Sequence, residues 1–159
     1  MSQKATDALF TAMLAGLKSV LDGGFLYLFA GPMPATPGEA LDLVALHTQI
    51  AKISAGGDGV TGLTFDAAVG DSIFKSAQAW SGTAAFDGAE SAATSLTPSF
   101  FRLCPAGDTG RTLVTTPRIQ GDIGAIGSGA ALEVSSLALA PAAPVSIVTF
   151  QGRLRGWGA

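Results

Sequence analysis

The run Ser-Phe-Phe-Arg-Leu-Cys at residues 99–104 constrains the fold most. Thr97-Pro98 precedes it and Pro105-Ala106-Gly107-Asp108 follows. A short apolar segment between such breakers is the mark of a strand. Period-two alternation puts Ser99, Phe101 and Leu103 on one face and Phe100, Arg102 and Cys104 on the other. A large ring on each face needs cover on both sides, so this strand is expected at the centre of a packed structure.

Residues 6–21 carry Phe10, Met13, Leu14, Leu17 and Leu21 at helical spacing, with Thr6 as N-cap and Asp22-Gly23-Gly24 as the stop. Lys18 interrupts the apolar run, so this is an amphipathic helix, neither a signal peptide nor a membrane span. Residues 25–30 read as a strand, with Phe25, Tyr27 and Phe29 opposite Leu26 and Leu28. Thr36-Pro37-Gly38-Glu39 matches a capping box, which predicts a short helix over 40–44 and then a strand over 46–53. Further strands are expected at 62–65, 80–86, 112–115, 118–123, 132–139 and 145–154; residues 72–76 show no clean period. In the last run Ser146, Val148, Phe150 and Leu154 share one face.

Many short strands with Gly and Pro punctuation, and no helices alternating with strands after Val60, indicate a sandwich or barrel rather than a parallel α/β sheet. The reading adopted is a mainly β chain, an antiparallel β-sandwich or jelly-roll-like fold with an N-terminal α-helix. Residues 1–24 form the helical arm or cover and residues 25–159 the sandwich domain.

The 159 residues are 48% hydrophobic and only 13% charged, about half the usual charged share. A surface so poor in charge suits contact with neighbouring subunits better than isolation in water. The net charge of −3, with Lys and Arg scattered, argues against nucleic acid as a partner. The single cysteine, Cys104, excludes an internal disulfide framework and a cysteine-based zinc site.

Candidate chemistry is sparse. His47 is the only histidine, and no nucleophile elbow accompanies it. Cys104 reads as a small buried hydrophobe, with Arg102 on the same face as its one cationic neighbour. Gly121, Gly124, Gly127 and Gly129 lack the spacing and the following lysine of a phosphate loop, so they read as a hairpin or flexible loop. Asp58, Asp66 and Asp71 lack a calcium-loop pattern and read as solvated loop acids. No catalytic residue, cofactor, metal or small-molecule substrate is expected. Interface candidates are Phe10, Met13 and Leu17 on the helix and Arg153, Arg155 and Trp157 near the C-terminal end, since Arg and Trp are enriched in hot spots.

The order of an N-terminal helix, Gly-Gly-Phe-Leu-Tyr-Leu-Phe-Ala-Gly at 23–31, Gly-Leu-Thr-Phe at 62–65, Trp-Ser-Gly-Thr at 80–83, Phe-Phe-Arg-Leu-Cys at 100–104 and Pro-Arg-Ile-Gln-Gly at 117–121 resembles small structural proteins of tailed-bacteriophage virions. The resemblance spans nearly the whole chain. It implies a non-enzymatic capsid cement or decoration protein, folded in the host cytoplasm and placed in the virion. Such a subunit bridges the major capsid protein or other virion proteins and oligomerises, without nucleic acid or membrane. The alternatives are a neck, tail or fibre-attachment component, or a carbohydrate- or receptor-binding β-sandwich module with Trp80 and Trp157 as the exposed aromatics.

Overall fold

The computed structural model describes residues 7–153 of the chain. One helix, α1 (Asp7–Leu21), precedes eight strands: β1 (Phe25–Ala30), β2 (Thr48–Ala55), β3 (Ser72–Phe74), β4 (Trp80–Gly88), β5 (Phe100–Cys104), β6 (Ile119–Ala125), β7 (Leu132–Val134) and β8 (Pro144–Arg153). The protein is mainly β, with its helix at the N-terminal side. The sheet does not divide into two layers. Its order β8-β4-β2-β1-β5-β6-β7 returns to β8, which makes a closed seven-stranded barrel, with β3 attached to β8. All pairings are antiparallel except β6 with β7. The antiparallel sandwich or jelly roll expected from strand spacing is thus replaced by a mixed barrel. Local periodicity gives each strand's faces but not which strands meet, and closure is set by β8.

β8 closes the ring because it is long enough to serve three partners. Pro144, Val145 and Ser146 pair with β4, Ile147, Thr149 and Phe150 with β7, and Gln151, Gly152 and Arg153 with β3. The register slips opposite β7, between Glu133 and Val134. An extra residue there changes the parity of the strand. Val145 and Ile147 face the core before the slip, and Phe150 and Gly152 after it, while Val148 and Thr149 are both exposed. The single alternation expected over 145–154 misses this inversion.

β1 and β5 behave as their sequences predict. β5 is buried along its whole length and lies between β1 and β6. Leu26, Leu28, Phe101 and Leu103 point into the barrel, where they join Trp80, Phe65 and Phe150. Tyr27, Phe29, Phe100 and Cys104 form a second cluster on the outer face, covered by Leu41. Two apolar layers therefore share one pair of strands.

Helix α1 shares the barrel core through Leu14 and Leu21, with Leu17 packed beside them. Gly23 takes φ 81° at the helix end, where glycine is at no disadvantage. The N–H of Gly23 donates to the Leu63 carbonyl, the N–H of Leu63 to Gly24, and the N–H of Phe65 to Asp22 Oδ1. These bonds use up residues 62–65, so the strand expected there is reduced to one bridge, Phe65 to Lys75. A Cβ on Gly24 would lie 2.1 Å from the Cys104 carbonyl oxygen and 2.9 Å from that of Leu21, both backbone. Gly24→Ala should therefore cost about 2 kcal/mol or more by forcing backbone apart. Gly16 has nothing within 4 Å of its would-be Cβ, and Gly16→Ala should stabilise the helix by up to about 1 kcal/mol. Thermal melts of the two variants should move in opposite directions.

Two sequence expectations yield to tertiary context. Thr36 and Glu39 do make the capping contact, since the Thr36 N–H and hydroxyl both donate to Glu39 Oε1, but no helix follows. Residues 112–115 are likewise loop, because the Val114 N–H goes to the Gly38 carbonyl instead of a sheet ladder. Thr6, the expected N-cap, lies outside the described residues.

Candidate interaction surface

Two long loops, residues 31–47 and 105–118, lie over the outer face of β1 and β5. Backbone bonds join them to each other: Leu41 N–H to the Arg111 carbonyl at 2.8 Å and Val114 N–H to the Gly38 carbonyl at 3.0 Å. What fastens them to the barrel is Arg102. It is fully buried on β5, and its guanidinium donates to the carbonyls of Glu39 (2.7 Å), Gly110 (2.7 Å) and Thr36 (3.4 Å) and to Gln120 Oε1 (3.0 Å). Gln120 in turn donates to the Pro34 carbonyl. A single side chain thereby ties both loops and β6 to β5. The planar five-donor fork suits this task, and a lysine could not reproduce it. Burial, then the charge of Arg118, pushes the Arg102 pKa below its ordinary value; the carbonyl acceptors offset part of the desolvation.

A second fastening stands beside it. Arg118 and Asp108 form a buried pair at 2.6 and 2.7 Å, and Arg118 also reaches the Pro37 and Thr112 carbonyls. Burial works against the Asp108 carboxylate. Hydrogen bonds from Arg118 and the Gly110 N–H, with the charge of Arg118, outweigh it and hold its pKa below the ordinary 3.8. A carboxylate with a depressed folded pKa contributes stability above its unfolded pKa and loses it as the pH falls through the folded value. Asp58, held near 2 by the Thr61 hydroxyl and N–H, titrates in the same acid window. Comparing the wild-type chain with Asp108→Asn isolates the pair: their stability difference in urea should be full at pH 5–7 and shrink below pH 3.8.

The loops so fastened carry large aliphatic side chains outward. Val44 is 91% exposed and Leu113 76%, with Leu46 and Met33 on the same pair of loops at 56% and 51%. The loops that bear them are cross-tied to each other and to β5. Sequence reasoning did not single them out. The available signal was Arg102 itself, a lone cation between Phe100 and Cys104 on a face otherwise apolar.

The residues weighed as chemical sites take structural positions. His47 is a loop staple: its Nδ1 accepts the Asp42 N–H at 3.1 Å and its Nε2 lies 2.9 Å from the Pro32 carbonyl. Its ring stands edge-on to Phe100. Cys104 is four residues further along the same face, about 13 Å away at strand rise. Burial, then the negative charge of Asp108, pushes the thiol up to about 12, so it stays protonated. Asp58 accepts the N–H groups of Val60 and Thr61 and shapes its own turn. In the glycine-rich loop the Gly129 N–H is turned on the Glu133 carboxylate, which the Gly129 and Gly127 amides hold below its usual pKa. The loop is neither hairpin nor phosphate cradle. It is the return between the parallel strands β6 and β7. Trp80 is 1% exposed and packs edge-on against Phe65, which removes it from the aromatics available to a sugar. Among the described residues no group of three His, Cys, Asp or Glu is placed to hold a metal ion, and no helix is long and apolar enough to cross a membrane.

The expected interface residues are divided between roles. Leu17 packs on the core, Phe10 is half-buried, and Met13 is 45% exposed. Arg153 is exposed at the end of β8 and donates to Gln151. Arg153 pairs with Ser72 of β3, the strand that α1 contacts, so the helix and the end of β8 flank the same short strand. Arg155 and Trp157 lie outside the described residues. No family model, curated protein or solved structure matches the chain.

Proposed function

We propose that this protein is a non-enzymatic structural subunit of a tailed-phage particle, a cement or decoration protein that bridges capsid subunits and associates with its own copies. The observation that carries the reading is the exposure of Met33, Val44, Leu46 and Leu113 on loops 31–47 and 105–118. Single exposed apolar residues are ordinary, but four on one pair of cross-tied loops are apolar area that a partner could cover. Arg102 and the Arg118–Asp108 pair hold those loops rigid, so little ordering is left to do on binding. The sparse charge of the chain and its resemblance to phage virion proteins point the same way.

Mass spectrometry and cryo-EM of purified particles from a phage encoding this chain test the reading. Many copies on the shell would support it, a few copies at the neck or tail would move the protein to those sites, and absence from mature particles would refute a virion role. Val44→Asp with Leu113→Asp should leave folding within about 0.5 kcal/mol, since both side chains are exposed. The same double variant should be lost from particles, read by comparing its copy number with wild type.

A further inference from the structure

The two long loops and the barrel do not share a core. Among the described residues, 21 buried apolar side chains form the main cluster, and none of them comes from residues 31–47 or 105–118. The outer cluster holds five, Tyr27, Phe29, Leu41, Phe100 and Cys104, and of these Leu41 alone belongs to a loop, with Leu43 half-buried beside it. The remaining ties from loop to barrel are mostly polar. They are the Arg102 bonds to Thr36, Glu39 and Gly110, the Gln120 bond to Pro34, and the Arg111 bonds to Asp87 and Gln49. Polar bonds broken into water are largely replaced there, whereas lost apolar burial is not. Arg102 is itself fully buried, and lifting the loops returns its guanidinium to water, which offsets part of what the broken bonds cost. The loops are also joined to each other, Leu41 to Arg111, Val114 to Gly38 and Arg118 to Pro37, so they lift together. No strand pairing of the barrel involves them.

We infer that residues 31–47 and 105–118 form a strap that opens as one unit from a barrel that stays closed, and that its opening uncovers Tyr27, Phe29, Phe100 and Cys104 along β1 and β5. The inference goes beyond the proposed function and does not depend on it. Segments that open apart from the rest of a protein are those with few buried apolar contacts of their own, and the strap has one buried apolar side chain against 21 in the barrel. Gly110 marks where the opening is read. A Cβ there would lie 3.1 Å from Cys104 Sγ and 3.5 Å from Arg102 Cβ, so the Gly110 backbone rests on the thiol, and its carbonyl is held by Arg102. While the strap is shut the thiol is buried and protonated, its pKa pushed up to about 12. Once the strap lifts, the thiol meets water and regains the ordinary reactivity of cysteine. The chain has no other cysteine, so a thiol reagent reads this one site.

Labelling of Cys104 in the full-length chain with an aromatic disulfide reagent, followed by absorbance at one fixed pH, tests this. Leu41→Ala loosens the strap and should raise the labelling rate about tenfold or more. Phe150→Ala weakens the barrel core alone and should leave the rate within about twofold. Were the thiol reached only by unfolding of the whole chain, Phe150→Ala would raise the rate about a hundredfold or more, in step with its loss of stability, and that result overturns the inference. A rate unmoved by Leu41→Ala, or a native thiol that never reacts, overturns it as well. Should Phe150→Ala fold poorly, the wild-type chain in low urea decides. A labelling rate nearly flat in urea below the unfolding transition supports the strap, since little surface is exposed on opening, and a rate that climbs with the full slope of global unfolding refutes it.

Discussion

Arg102→Ala should lower the stability of the chain by about 4 kcal/mol, read from urea denaturation at neutral pH. The variant removes the donors to the Glu39 and Gly110 carbonyls near 2.7 Å, the only ones among the described residues, and leaves Gln120 Oε1 without its donor. A hydrogen bond to a charged group contributes about 1.5–3 kcal/mol, and each buried acceptor left unpaired costs about 1–3 kcal/mol, with overlap between the two. Arg102→Lys should recover only a small part, because one ammonium cannot span four acceptors on two loops and a strand. The loops should also lose amide-exchange protection at Leu41 and Val114, whose N–H groups bond across them. A loss below about 1 kcal/mol would show that the loops hold without this side chain.

Phe150→Ala should cost about 3–5 kcal/mol, the range for truncating a buried phenylalanine. Phe150 is 2% exposed and touches three rings, with centroids 5.6 Å from Trp80, 5.8 Å from Phe101 and 5.9 Å from Phe65. Those rings belong to β4, β5 and the segment before β3, so one truncation opens a cavity against several walls of the barrel. Val148→Ala, two residues away but exposed at the register slip, should change stability by less than about 0.5 kcal/mol. Equal effects at the two positions would mean that the slip does not sort the strand as described.

The faces of β1 and β5 were legible in the sequence because alternation is local and both strands are regular. The expected cover on both faces of residues 99–104 is met, by the barrel core inside and by the loops outside. The helix was legible for the same reason. The path of β8 was not, because an extra residue inverts its parity and only the pairing with β7 places it. Nor was the parallel join of β6 and β7, since parallel neighbours ordinarily require a connection of a dozen or more residues and this one has far fewer. The capping box at Thr36 formed its side-chain contact and still made no helix, because the Glu39 carbonyl is taken by Arg102 and the Leu41 N–H by Arg111. Met33, Val44, Leu46 and Leu113 escaped notice because a loop valine or leucine carries no sequence mark of its exposure.

A ring whose joining strand is β8 stays ajar until that segment has been synthesised. Before then β4 and β7 are raw margins at opposite ends of an open sheet, and a nascent chain carries both together. Most of the pairings that close it link residues far apart in sequence, which slows two-state folding. Closure of the ring therefore waits on β8, and until it pairs the margins of β4 and β7 are the edges open to wrong partners.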